Sequence, residues 1–375
     1  MRGRPEGPGI AGACVTSRQL LPRLASRGVR LGFAVKVLGA GGLPSQDMRR
    51  WQSGPHLRVS LEYLRAIFAY LADTDIRMYR MTSSLAPYAT HPDLPQFHGQ
   101  VAGCAAELAD LGDAVRARGV RLSSHPGQYI VLNSEDERIR AGAARDLELQ
   151  AELFDAMGLG PEAVVVLHVG GAAGGKEAAM DRFCEGFETL SEAARARLVV
   201  ENDDRTFGLC DVLELSRRIA RPVVWDILHH HCNDPERIGD REALELALDT
   251  WPAGVKPKIH YSTPKTAVEE RRKKVGRRVE RSLVLPQLRA HADMLDPIAF
   301  EHFLRETAAG LEFDVMLEAK AKDLALLRLR EQLVARAVLA PHSATIASTS
   351  TCDPRGRPAT AIPTRAGGSS PRSSA

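Results

Sequence analysis

The sequence predicts an α/β fold, namely a single TIM (β/α)8 barrel with disordered N- and C-terminal extensions. Two observations predict it: short apolar runs such as AVVVL and PVVW alternate with amphipathic segments, and most of the runs end in a residue that can bind a metal ion. Almost wholly apolar runs are typical of parallel strands that are buried on both faces. Eight βα units favour closure into a barrel. An open doubly wound sheet is the alternative, but it usually has fewer units.

The first elements follow directly from composition and spacing. The segment VRLGFAVKV (29–37) has the composition of a strand, and the Gly- and Pro-rich GAGGLPSQD after it is typical of a loop. Residues 60–74 carry apolar side chains at helical spacing after the N-cap candidate Ser60, and IRMYRM (76–81) returns to strand composition.

The same alternation continues to residue 336, so residues 29–336 are predicted to form one barrel domain. Further strands are predicted at 120–125, 163–168, 197–201, 222–226, 256–261 and 313–318. Further helices are predicted at 99–118, 141–158, 176–195, 209–219, 240–250, 296–309 and 322–336.

The two ends of the chain differ in composition from the barrel segment. Residues 1–28 contain five arginines and one acid, Glu6. This composition fits a disordered or misassigned extension, with an organellar transit peptide as the alternative. Residues 337–375 are dominated by Ala, Ser, Thr, Pro, Arg and Gly and have too few large apolar side chains to offset the entropy of ordering. We expect disorder there.

Bulk composition excludes several classes of protein. The net charge of +3 gives no global basic field, so a surface for nucleic acid would have to be local. No apolar stretch approaches the roughly 20 residues that span a bilayer, and no secretion signal is found. The six cysteines form no C-x-x-C pair, which argues against a zinc ribbon or a disulfide framework. A reducing cytoplasm is the expected location.

Ligand-type side chains lie at or just past the ends of six predicted strands. In a barrel these strand ends meet at one mouth, where active sites lie. Each residue alone could equally be a structural polar group, but together they predict a metal centre. There are too many for one ion, so bridging carboxylates and two or three ions, manganese or zinc, are expected. The candidates are His125, His168, Glu201, Asp226, His229, His260 and Glu318, with the loop residue His291 as the weakest.

Lys258 is a cation close in sequence to one of these ligand candidates. It lies two residues before His260, which places both side chains on one face of a strand. An ammonium beside divalent ions is repelled, so Lys258 is expected to be neutralised or to hold an anion, such as a phosphate oxygen or a bridging water. In WDILHH, Asp226 and His229 are expected to share a centre, while His230 and His231 support it or face away.

Seven segments in sequence order resemble the UV damage endonuclease family. They are SHPGQY, LHVGG, ENDD, WDILHH, KPKIHYS, HAD and EAKAKD, and the resemblance runs from about Arg30 to about Leu329. It implies a xylose-isomerase-like TIM barrel that repairs DNA as a metal-dependent, ATP-independent endonuclease without a nucleotide cofactor. Such enzymes nick the strand immediately 5′ to cyclobutane pyrimidine dimers, 6-4 photoproducts or abasic sites. We expect a monomer whose partner is damaged double-stranded DNA, in the cytoplasm and at the nucleoid.

The resemblance also assigns roles to individual residues. It implies that Glu201, Lys258 and His229 are catalytic, that Lys258 can be carboxylated, and that the eight metal candidates hold a manganese cluster. Gln128 and Tyr129 match the pair that probes the duplex at the lesion. An aromatic ring and an amide beside the metals can fill the space that damaged bases leave when they leave the stack.

One part of the chain departs from the family pattern. The family often has Tyr at the position of Phe33 and Asn at that of Val37. Phe33 is expected still to stack or wedge at the lesion, without the hydroxyl or amide contact.

A local basic cluster follows His260. Residues 265–281 contain eight Lys or Arg and three Glu. This segment is either a phosphate-binding arm or a solvated helical face with Glu-to-Lys pairs. The candidates for phosphate contact are Lys265, Arg271, Arg272, Lys273 and Lys274.

Three functions remain open from the sequence. In the first, an endonuclease, water activated by bridged metal ions attacks the phosphorus 5′ to the lesion and leaves a 3′ hydroxyl and a 5′ phosphate. The second, a sugar isomerase or epimerase on the same barrel, explains the metals but not HPGQY or the basic segment. The third is a damage-binding protein that has lost turnover.

Overall fold

A computed structural model describes residues 29–336 apart from Arg277. The expected extensions, 1–28 and 337–375, therefore lie outside the described residues. The described chain has ten strands: β1 Leu31–Ala34, β2 Met78–Arg80, β3 Arg121–Ser124, β4 Val164–His168, β5 Leu198–Glu201, β6 Val223–Val224, β7 Lys258–Tyr261, β8 Glu269–Val275, β9 Arg278–Val284 and β10 Asp314–Leu317.

Eight of these strands form the predicted parallel barrel. Their order is β6-β5-β4-β3-β2-β1-β10-β7, and every adjacent pair is parallel. A parallel bridge between Asp226 and His260 joins the two outer strands and closes the barrel. All carboxyl ends of the strands therefore meet at one mouth.

Alternation along each strand decides which side chains line the barrel interior. Val164 and Val166 of β4, Val199 of β5 and Val224 of β6 form a small buried cluster, separate from the large core under the helices. Because side chains alternate with a period of two, the residues that continue these rows, His168, Glu201 and Asp226, also point inward. The ligand candidates are thus the top layer of the barrel interior.

The helices surround the strands, and several differ from the prediction. The predicted helices 99–118 and 176–195 each divide in two, at Cys104 and before Ser191, and 296–309 ends in a π-helical turn, Phe303–Thr307. A short helix within WDILHHH was not predicted, because six residues are too few to show helical periodicity. The helices are α1 Leu57–Asp73, α2 Gln100–Gly103, α3 Ala105–Ala117, α4 Glu137–Ala156, α5 Lys176–Glu188, α6 Glu192–Arg197, α7 Leu209–Ile219, α8 Ile227–Cys232, α9 Asp240–Leu248, α10 Pro297–His302 and α11 Lys322–Ala335.

The basic segment after His260 is a β-hairpin of β8 and β9. The helical alternative is therefore wrong. Every residue of β8 and all but the last of β9 are exposed, as in a solvated ribbon. No helix among the described residues is long and apolar enough to cross a membrane.

A buried ion network lies at the opposite end of the barrel, where the strands begin. The fully buried carboxylate of Asp314 accepts hydrogen bonds from Arg30 Nε and from Arg121, each at 2.9 Å, and Lys256 Nζ lies 3.4 Å away. The Arg121 guanidinium also lies 5.5 Å from the ring centroid of Trp251. This network ties β3 to β10 across the barrel floor.

We predict that Asp314→Asn lowers the free energy of unfolding by about 3–5 kcal/mol, because it leaves Arg121 buried without its counterion. The matched control is Asp113→Asn, since the Asp113 side chain is 74% exposed and pairs with Arg116 at the surface. That change should cost about 1 kcal/mol or less. Urea denaturation of both variants measures the difference, and equal losses would contradict the role of the floor network.

Candidate metal centre

The carboxylate of Glu201 is the hub of the barrel mouth. It is fully buried at the end of β5. His260 Nδ1 lies 2.7 Å from its Oε1, while His125 Nε2 lies 2.9 Å and His168 Nε2 3.5 Å from its Oε2. His229 Nδ1 lies 3.7 Å from Oε1. Side chains from β3, β4, β5, β7 and the start of α8 therefore converge on one carboxylate.

Seven of the eight ligand candidates form three overlapping groups. Within each group, one ligand atom from each residue lies within 4.8 Å of the others. Glu201 belongs to the first two groups and Asp226 to the last two, so these carboxylates are placed to bridge ions. The groups are His125, His168 and Glu201; Glu201, Asp226 and His229; and Asp226, His260 and Glu318.

Several buried polar atoms at this mouth have no hydrogen-bond partner, which fits a metal site. An unpaired buried polar group costs about 1–3 kcal/mol, and a divalent cation coordinated there would offset that cost. Imidazole nitrogens and carboxylate oxygens are ligands that suit divalent first-row metals. These atoms include Asp226 Oδ2, His260 Nε2, His168 Nδ1 and Lys258 Nζ.

Asn202 orients two of the ligand candidates. Its side-chain amide donates to the Asp226 carbonyl at 3.0 Å and accepts from the Asp226 N–H at 2.9 Å. Its backbone carbonyl lies 3.0 Å from His229 Nδ1, so that nitrogen can donate there and leave Nε2 for a metal. Sequence reasoning missed this residue, although it directly follows Glu201 in ENDD.

His291 is held beside the groups but belongs to none of them. An antiparallel bridge joins it to Pro264, and its Nδ1 lies 2.7 Å from the Glu318 carbonyl. The imidazoles of His230 and His231, which follow His229 in α8, lie close to oxygen atoms outside the ligand groups. His230 Nε2 lies 2.9 Å from the Ile238 carbonyl and His231 Nε2 lies 2.8 Å from Asp240 Oδ1.

Burial and neighbouring charges shift the pKa values of side chains at the mouth in opposite directions. Burial lowers the pKa of His125 to about 4, against the pull of Glu201. Burial also disfavours a charged His229, but the carboxylates of Asp226 and Glu201 outweigh it and raise its pKa to about 9. Burial would raise the pKa of Glu201, but the imidazoles around it, His260 foremost, hold that pKa well below its ordinary range.

Lys258 lies below the ligands inside the barrel and is fully buried. Burial, together with the guanidinium groups of Arg121 and Arg80, lowers the pKa of its amine well below the ordinary value. Burial and the nearby guanidinium groups therefore disfavour the charged amine. That Lys258 is neutralised or holds an anion stays a prediction.

Arg80, at the end of β2, is a cation at the mouth that sequence reasoning did not identify. Its guanidinium donates to Glu318 Oε1, and its side chain is 13% exposed. The signal was present as the penultimate residue of IRMYRM, one more strand with a polar residue at its end.

The two residues expected to probe DNA lie in the exposed loop after His125. Gln128 is exposed, and Tyr129 is 81% exposed, which is unusual for an aromatic side chain. Phe33 corrects the prediction: it is fully buried, with its ring centroid 5.3 Å from that of Tyr79. Strand alternation turns it outward under the helices, so it is not placed to stack or wedge at a lesion. Val37 is also buried.

Some cations in the hairpin or just before it are paired with glutamates, and others are exposed. Lys265 is 8% exposed and pairs with Glu269, and Arg272 Nε lies 2.7 Å from Glu270. These two are less available to a phosphate than the remaining candidates. Arg271 and Lys273, both exposed, share the other face of β8 with Glu269.

Comparisons with known proteins agree with this geometry. The family model described as UV-endonuclease UvdE matches residues 56–346. A protein named UV DNA damage endonuclease from Bacillus pumilus (strain SAFR-032) is 35% identical over 273 residues, 72% of this chain and 79% of that protein. One of the same name from Bacillus velezensis (strain DSM 23117 / BGSC 10A6 / LMG 26770 / FZB42) is 33% identical over 268 residues, 71% and 78%. The crystal structure of SacUVDE matches with a TM-score of 0.69 at 29% identity, covering 82% of this chain and 99% of that one.

We predict that His229→Gln weakens Mn2+ binding by more than about tenfold, because it removes a ligand from the middle group. His231→Gln is the matched control two residues along the same helix, and it should bind as the wild type does. Metal content after dialysis, measured by mass spectrometry, tests the pair. Equal loss from both variants would contradict the assignment.

Proposed function

The chain belongs to the UV-endonuclease UvdE family, and from this premise we propose that it nicks DNA immediately 5′ to UV photoproducts and to abasic sites. Proteins with the name UV DNA damage endonuclease resemble it over 71–72% of its length. The observation that carries the proposal is the set of three overlapping ligand groups around Glu201 and Asp226. Paired divalent ions suit phosphodiester hydrolysis.

Manganese is the metal that we propose for these groups, as two or three ions. Three carboxylates, Glu201, Asp226 and Glu318, accompany the imidazoles, and carboxylate-rich sites favour Mn2+. Divalent ions bound there would lower the pKa of water and stabilise charge on the departing 3′ oxygen. The chain's own part is to hold its ligands in fixed orientation, with His229 oriented by Asn202 and Asp226. The products would be a 3′ hydroxyl and a 5′ phosphate.

Lys258 is proposed to be carboxylated. Its amine is buried, has no hydrogen-bond partner and has a lowered pKa, so a neutral, nucleophilic form is favoured. The amine would attack carbon dioxide, and the nitrogen would release a proton to give a carbamate. The new anion would lie among the cations Arg80 and Arg121 and offer oxygens to a metal ion.

Gln128 and Tyr129 are proposed to test the duplex at the lesion. An exposed aromatic ring beside the metal ligands can occupy the space that unstacked bases leave, and unstacking costs least at a damaged pair. Phe33, being buried, is left out of this role. Lesion preference would then depend on the loop after His125 alone.

A sugar isomerase or epimerase would share the barrel and the metal ligands. It gives no reason for Tyr129 to be 81% exposed, or for a hairpin rich in cations beside the mouth. A damage-binding protein without turnover would not need the complete ligand set. Both are weaker accounts of these residues.

The proposal predicts that the purified protein with Mn2+ cuts a duplex containing a single cyclobutane dimer immediately 5′ to it. A sequencing gel shows the position of the nick. Glu201→Gln should reduce the rate by at least about a thousandfold, since it removes the carboxylate shared by two ligand groups, while His231→Gln should cut normally. Binding without cutting by the wild type would favour the non-catalytic alternative, and no effect on DNA would favour the isomerase.

Changing the probing ring gives a second prediction. Tyr129→Ala should weaken binding to dimer-containing duplex by roughly tenfold or more, because a base–aromatic stack contributes about 1–3 kcal/mol. Tyr129→Phe keeps the ring and should retain most of the affinity. Fluorescence anisotropy with damaged and undamaged duplexes measures both, and an unaltered preference in Tyr129→Ala would refute the role.

The hairpin gives a third prediction. The double variant Arg271→Gln with Lys273→Gln should flatten the salt dependence of DNA affinity, by about 0.9 in the logarithmic slope for each lost phosphate contact. Lys265→Gln should change the slope less, because that lysine pairs with Glu269. A slope that is the same in the double variant and the wild type would show that the hairpin is only a solvated ribbon.

A further inference from the structure

One sector of the barrel mouth holds three cations that are not among the ligand candidates. Lys36 follows β1, Arg80 ends β2, and Lys322 follows β10 in the segment EAKAKD. Strand β1 pairs with β2 on one side and with β10 on the other, so these three positions are neighbours at the rim. Lys36 is exposed, Lys322 is half-buried and Arg80 is 13% exposed.

The backbone that presents the two lysines is held in unusual conformations. Val35, just before Lys36, has a φ of 65°, and Lys322 has a φ of 50°. A left-handed conformation is an outlier for a β-branched residue and persists when its surroundings enforce it. Val35 N–H donates to the Arg80 carbonyl at 2.8 Å, and the Tyr79 hydroxyl donates to the Val35 carbonyl at 2.5 Å.

A buried carboxylate joins the two lysine-bearing segments. Asp323, next to Lys322, accepts from Leu38 N–H at 2.7 Å and from Gly39 N–H at 2.9 Å. The Tyr70 hydroxyl donates to the same carboxylate at 2.7 Å. The loop after β1 and the turn after β10 are therefore fixed to each other, with the three cations on a preformed surface.

Three cations lie in this sector with two carboxylates, Glu318 and Asp323, and the Asp323 carboxylate accepts its hydrogen bonds from neutral groups. Burial, Arg80 and Lys36 lower the pKa of the Lys322 amine, and Glu318 acts in the opposite direction. Glu318 is also the residue to which Arg80 donates, and it belongs to the third ligand group. If Glu318 coordinates a metal ion, that ion neutralises its negative charge. The side-chain cations of Lys36, Arg80 and Lys322 are then close together without that counterion. Such a surface attracts an anion.

We propose that Lys36, Arg80 and Lys322 bind a backbone phosphate group of the DNA strand that lies across the metal centre. The guanidinium of Arg80 has further N–H groups beyond the one that donates to Glu318, and its planar fork suits phosphate oxygens. The two ammonium groups add positive charge at the neighbouring positions of the rim. This site deepens the proposed function and rests on it, because it positions the strand to be cut and does not itself react.

Single-turnover incision of dimer-containing duplex with Mn2+, at KCl concentrations between about 50 and 200 mM, tests the proposal. The variants are Lys36→Gln, Lys322→Gln and the charge-preserving Lys322→Arg. Arg118→Gln is the matched control, since Arg118 is exposed at the opposite end of the barrel, just before β3. Metal content is measured on every variant.

Each Lys→Gln variant should need about fivefold more protein for half-maximal rate, and its salt slope should fall by about 0.9. The maximal rate and metal content should stay within about twofold of wild type, Lys322→Arg should restore the slope, and Arg118→Gln should change nothing. The phosphate site would be overturned if the Lys→Gln variants had the same half-saturating protein concentration and salt slope as Arg118→Gln. It would also be overturned if their maximal rate or metal content fell while the half-saturating concentration did not change. If the wild type does not cut, the proposed function and this site both fail.

Discussion

The buried carboxylate of Glu201 is the constraint on which the barrel mouth depends. It lies at 0% exposure with imidazole nitrogens of His260 and His125 within 3 Å. Burying an anion is costly unless cations or hydrogen-bond donors satisfy it. The barrel brings five strand ends to this one point, and a fold with dispersed strand ends could not. The three ligand groups overlap because the first two share Glu201 and the last two share Asp226.

The two ends of the barrel differ in how their buried charged groups are paired. At the floor, Asp314 is fully paired with Arg30 and Arg121, and this network is a structural element. At the mouth, carboxylates and imidazoles leave atoms without protein partners. Lys258 lies between these layers, where burial and the guanidinium groups of Arg121 and Arg80 disfavour its charged form. The carboxylate at the floor is thus paired with cations and stabilises the fold, whereas carboxylate and imidazole atoms at the mouth remain available for a ligand.

The strands, their order and most of the side chains that converge at the mouth could be predicted from the sequence, because short apolar runs with polar ends do not depend on the details of packing. Features that depend on strand register, or on which face of a strand a side chain occupies, could not be predicted from the sequence. Phe33 was wrongly expected at the lesion, since its inward or outward direction is set by the pairing of β1. Asn202 and Arg80 were missed because their partners come from other strands. The hairpin at 269–284 was ambiguous, since a run of charges has little periodicity in apolar residues.

The carboxylates of Glu201 and Asp226 are proposed to bridge metal ions at the barrel mouth. Crystals of the protein soaked in Mn2+ and measured at the manganese absorption edge would reveal such ions. At least two anomalous peaks are expected, one within about 2.0–2.4 Å of Glu201 and one equally close to Asp226. Peaks confined to surface carboxylates, or a mouth without any peak at saturating Mn2+, would refute the bridged metal centre.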